Sequence, residues 1–178
     1  MEADIQDEVF SFKQDLIGSR NYYGALWDRY RFLNRAIMIL DALAAILVVS
    51  DCVNLNLLLP RAILLTGLCV SAFKQTNDIV RRAKDLESQF HECQDILNCL
   101  DREKEIDFNL VSQLRERFAK VEKKDKPTIE CLMAVCRNKA LVSLGVKQQF
   151  KMTRFERWVG IYFTCIKFDD HAELVDRV

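Results

Sequence analysis

Two strongly apolar stretches, residues 36–53 and 55–73, lie back to back around Asn54, Asn56 and Pro60, with bases clustered on their outer flanks. A membrane hairpin is the arrangement this pattern suggests. Each half is short for the roughly 20 residues needed to cross about 30 Å of hydrocarbon. Nine Ile, Leu or Val residues in the first stretch favour insertion by on the order of 3 to 5 kcal/mol, against a cost of about 3 for a central Asp41. The second stretch has ten such residues counting Phe73, and Arg61 lies near the loop end, where a long side chain can snorkel. Arg29, Arg31 and Arg35 precede the first stretch, and Lys74, Arg81, Arg82 and Lys84 follow the second. Positive charge marks the cytoplasmic side, so both ends are expected to face the cytoplasm.

The remaining sequence favours helices. Five Gly and two Pro in 178 residues leave too few turn residues for a sandwich or barrel. Ile5, Val9, Phe12 and Leu16 form an amphipathic stripe, which Gly18 and Ser19 are expected to interrupt. A second helix then starts near Arg20 and carries Trp27, Arg29 and Arg31 into the first apolar stretch. Aromatics beside arginines suit the head-group level of a bilayer; an aromatic core seam would need the same residues.

Ala62, Leu65, Cys69, Ala72, Thr76, Ile79, Ala83, Leu86, Phe90, Cys93, Leu97 and Leu100 alternate spacings of three and four. That heptad seam predicts one helix over 61–103, roughly 65 Å long, with its second half projecting into the cytosol. The seam fits contact between subunits as well as packing against a return helix carrying Ile106, Leu110, Leu114, Phe118 and Val121. Pro127 suits the first turn of a further helix, burying Ile129, Leu132, Met133, Cys136 and Ala140 and stopping at Gly145. Residues 146–168 are basic and aromatic, including Arg154, Arg157 and Trp158; they could lie on an anionic membrane surface or pack back on the helices. Residues 169–178 read as a frayed acidic end.

The expected fold is therefore all-α: a two-helix transmembrane hairpin continuing into a cytosolic antiparallel, coiled-coil-like bundle. Its parts are an amphipathic helix (1–19), the aromatic lead-in and hairpin (20–75), the cytosolic body (76–145) and the basic–aromatic segment with its tail (146–178). MEADIQDEVF lacks the basic start and apolar core of a signal peptide, so insertion would use the internal segments.

Chemistry is poorly represented. Lys and Arg number 26, as do Asp and Glu, so no net charge draws the chain to nucleic acid. Seven scattered cysteines suit reduced thiols in a core. His91 and Cys93, two apart, do not share a helical face for a metal. No phosphate-binding glycine loop occurs, and His171 is too poorly placed to build a catalytic triad. No enzyme activity or cofactor is expected. Asp41, with Arg35 nearby on the same helix, could line a polar path through a membrane assembly or bond locally near the interface; Arg61, at the loop end, is the further charged candidate.

The order of parts resembles the SLATT class of bacterial two-transmembrane domains. The resemblance rests on the Arg-rich lead-in, the hairpin LLLPRAILLTGL and the long helix KQTNDIVRRAKDLESQF. The segment RFAKVEKKDKPTIECLMAVCRNKALVSLG is also similar to one in uncharacterised bacterial and prophage hairpin proteins, where a Cys-x-Asn triplet appears, here Cys136, Arg137 and Asn138. The resemblance implies an inner-membrane effector of a conflict system that perforates or depolarises the bilayer as a homo-oligomer when a cytosolic sensor protein triggers it. A helical adaptor, membrane-anchored or cytoplasmic with the apolar hairpin as its core, is the alternative expectation.

Overall fold

The computed structural model describes residues 2–51, 79–103, 107–124, 129–146, 148–150, 152–153 and 174–176. Four helices dominate these residues: α1 (Glu2–Asp51), α2 (Ile79–Arg102), α3 (Phe108–Lys124) and α4 (Glu130–Ser143). The all-α expectation holds, with strand confined to a three-residue pair, β1 (Gln148–Phe150) and β2 (Leu174–Asp176). The chain divides into two compact units, Met1–Gly24 with Ser88–Val178, and Ala25–Glu87.

In the first unit, the side chains fix helix directions. Lys13 pairs with Asp101, Arg20 donates to the Gln94 amide oxygen at 3.1 Å, and Gly24 faces the Phe90 ring. Partners descend α2 as they ascend α1, so these helices are antiparallel. Glu8 meets Arg115 at 3.4 Å and Phe12 meets Phe118 edge to face at 6.0 Å, so α3 runs with α1. Lys124 returns to Glu92 at 3.1 Å. On α4, Arg137 lies at Gly18, while the Tyr22 hydroxyl, further along α1, accepts from the Ile129 N–H just ahead of α4, at 3.2 Å. The unit is thus an up-down-up-down bundle; few residues separate α2 from α3 and α3 from α4, whereas residues 25–87 separate its α1 and α2 portions.

Periodicity explains the core. Phe12, Leu16 and Tyr23 on α1, Cys93, Ile96, Leu97 and Leu100 on α2, Val111, Leu114, Phe118 and Val121 on α3, and Leu132, Cys136 and Ala140 on α4 are all buried. They repeat at three and four residues, the interval that returns a side chain to one helix face. The rim ion pairs contribute only about 0.2 to 1 kcal/mol each.

Gly18 and Ser19 do not interrupt the first helix, because α1 passes through both. A glycine inside a helix costs about 1 kcal/mol relative to Ala, and packing explains its presence. A Cβ on Gly18 would stand 3.3 Å from Arg137 Cγ, and one on Gly24 would stand 3.2 Å from the Phe90 ring. The two glycines are sites of close helix approach rather than turns.

The return helix and the α4 stripe appear with Leu114, Phe118, Val121, Ile129, Leu132, Cys136 and Ala140 buried; Leu110 and Met133 are half-buried, and Ile106 and Pro127 lie outside the described residues. Asp107 accepts the Leu110 N–H at 2.7 Å and caps α3. Gly145, at φ 77°, ends α4 as anticipated: its N–H reaches Val142 O at 3.1 Å and the Val146 N–H reaches Leu141 O at 2.9 Å, the paired bonds of a Schellman end. The tail departs from expectation. Leu174–Asp176 is not frayed but forms β2, antiparallel to β1, with Phe150 opposite Leu174. On α4, Asn138 donates to Phe150 O at 2.9 Å and accepts the Phe150 N–H at 2.7 Å, satisfying that backbone as a neighbouring strand would.

Candidate membrane-facing surface

From Ala25 onward α1 meets no Gly or Pro, so its backbone continues helical while its side chains change from mixed to apolar. Phe32, Ile39 and Ile46 recur every seven residues and stand 74%, 61% and 63% exposed. Leu33, Met38 and Leu43 widen this face and are exposed too. Among the side chains described on this stretch, Ile37 alone is fully buried, with Asn34 and Asp41 half-buried on its stripe. A helix in water normally shows the reverse, with its apolar stripe inward. Leaving six large apolar side chains this wet forgoes on the order of 5 to 10 kcal/mol of burial. Such a face marks a place for lipid or protein to cover.

The turns just before it carry the opposite chemistry. Arg31 lies over the Trp27 ring at 5.8 Å, and Arg31 and Arg35 are exposed, with Trp27 and Arg29 half-buried. A cation held on an amphipathic ring suits the boundary between water and hydrocarbon. Among the described residues, no helix is long and apolar enough to cross a membrane. The first apolar stretch, 36–53, leaves the described residues after Asp51, and the second lies wholly outside them.

Asp41 is half-buried and engaged by an interaction of its own. Arg35, six residues earlier, lies on another face of the helix and is exposed. The Asn34 side-chain oxygen is buried without a hydrogen-bond partner, so the inward stripe of α1 carries two polar residues around Ile37. Arg61, Ala62, Leu65, Cys69 and Ala72 lie outside the described residues, as do Arg154, Arg157 and Trp158.

The described part of the heptad seam lies within one chain. Ile79 and Leu86 are buried in the second unit, and Cys93, Leu97 and Leu100 in the first, with Phe90 half-buried. Gln89 and Ile96 are buried beside them, broadening a 3.5-residue seam into a helical face of period 3.6. This portion is a packing face of the monomer.

Burial pushes the Cys93 thiol up to about 12, reinforced by Glu122 and Glu92 and opposed by Arg20; a thiol held protonated is a poor nucleophile and metal ligand. His91 is exposed. Among the described residues, no three His, Cys, Asp or Glu side chains gather as a metal site. Gly18 and the Tyr22 hydroxyl hold helix contacts, and Asn138 holds a strand, that spacing alone did not reveal. Isolated glycines in an otherwise unbroken helix were the one legible signal.

No family model matches the chain, and no curated protein and no solved structure is significantly similar to it.

Proposed function

We propose that the protein is a membrane-embedded effector of a bacterial or prophage conflict system, perforating or disrupting the inner membrane as a homo-oligomer. The observation that carries this reading is the exposed apolar face of α1 from Phe32 to Ile46, headed by the Trp27–Arg31 pair. Lipid covers such a face without any further protein surface, and the basic lead-in holds the preceding turns at the head groups. Both termini are assigned to the cytoplasm, where a sensor protein could engage the bundle. Asp41 and Asn34 supply polar groups on an apolar helix, positions that favour contact between membrane helices or a water-lined path.

Induced expression followed by a potential-sensitive dye tests the effector reading. Depolarisation that is lost in Asp41→Leu is the expected result; an intact potential at high expression overturns it. A second reading, a non-perforating helical adaptor, draws on the burial of Leu86, Cys93 and Leu97 within a single chain. Carbonate extraction separates its forms, since an integral hairpin stays with the membrane pellet and a scaffold using the hairpin as its core is released.

A further inference from the structure

The second unit holds a group of bases of which the effector reading uses only the α1 members. On α2, Arg81, Arg82 and Lys84 are all exposed within little more than one helical turn, and on α1 Arg31 and Arg35 are exposed in the turns around Phe32. The exposed acids among this unit's described residues are Asp28 and Asp85, so the surface has a local positive excess on a chain whose charges cancel overall. On the membrane reading a hairpin returns the chain to the side it entered, so both groups fall on one flank. The α1 bases precede the exposed apolar face, and α2 begins only after the chain has passed through the second apolar stretch. We infer that these five bases form a collar that binds the anionic head groups of the membrane leaflet next to the apolar face. Charge complementarity carries the choice of partner: a row of cations beside an exposed hydrocarbon-like surface matches a bilayer, whose phosphates lie at the edge of its acyl chains. The inference rests on the membrane reading and adds lipid selectivity to it.

The test is flotation of the full chain with two vesicle types, phosphatidylcholine alone and phosphatidylcholine mixed with phosphatidylglycerol, at low and high salt. Each base near an anionic surface is worth about fivefold in partitioning, so R81Q/R82Q/K84Q should lose on the order of a hundredfold on anionic vesicles. It should lose little on neutral ones. High salt should erase most of the difference. R117Q/K120Q/K123Q removes the same charge from exposed positions on α3, in the other unit, and should bind as the parent does. Retained helicity by circular dichroism separates lost binding from lost folding. Equal binding of the parent to both vesicles overturns the collar and leaves the membrane reading intact; so does an equal loss in the α3 control. A parent chain that floats on neither vesicle overturns the membrane reading and the collar together.

Discussion

Glu122 is half-buried on α3, and its carboxyl is raised above the ordinary 4.5, chiefly by burial and then by Asp15, against the pull of Arg137. A raised acid favours the protonated folded state, so its contribution to stability is complete below 4.5 and is lost as pH rises through the folded value. Thermal unfolding across that range should show the wild type losing more stability with rising pH than Glu122→Gln. Asn138 offers a second test. Its amide satisfies both the N–H and the C=O of Phe150, and removing a partner from such groups costs about 1 to 3 kcal/mol. Asn138→Ala should therefore speed hydrogen exchange at the Phe150 amide while leaving the helices protected. No spacing rule singles out Asn138, because its partner is the backbone of a strand that sequence patterning did not anticipate. Gly18 is different: its presence was visible, but a helix break and a close helix contact read alike until Arg137 is placed beside it.

At the level of elements, α3 and α4 were the most legible. Their three–four stripes and the Gly145 stop are local signals, and local hydrogen bonding honours the stop; the Asp107 cap of α3 came from the structure. Leu114 lies in the middle of the α3 stripe, 3% exposed; Leu114→Ala should destabilise the bundle by about 2 to 5 kcal/mol in chemical denaturation. The exposed face of α1 should behave oppositely. I39S/L43S/I46S should leave helicity unchanged and sharply reduce retention in the membrane pellet, because these side chains are not spent on the protein's own core. The heptad seam shows where patterning stops. Its described positions on α2 are buried or half-buried, yet the period fitted a neighbouring subunit equally well, since both partners offer the same apolar chemistry.

For the molecule as a whole, the expected behaviour is a defined oligomer in detergent and self-association without limit in plain buffer, measured by size-exclusion chromatography with light scattering. A monodisperse monomer in buffer alone would mean that the α1 face is covered some other way. By itself the sequence determined an all-helical chain, the inward faces of α2, α3 and α4, the stop at Gly145 and the change to apolar character near Ala36. These follow from residue periodicity and backbone preference, which act over a few positions. Tertiary structure alone decided that α1 continues through Gly18, that the described seam closes within one chain, that α3 runs with α1, and that the tail returns to pair at Phe150. Each depends on which surfaces meet across many residues of chain, and apolar pattern records how strongly a face seeks burial without recording the face that receives it.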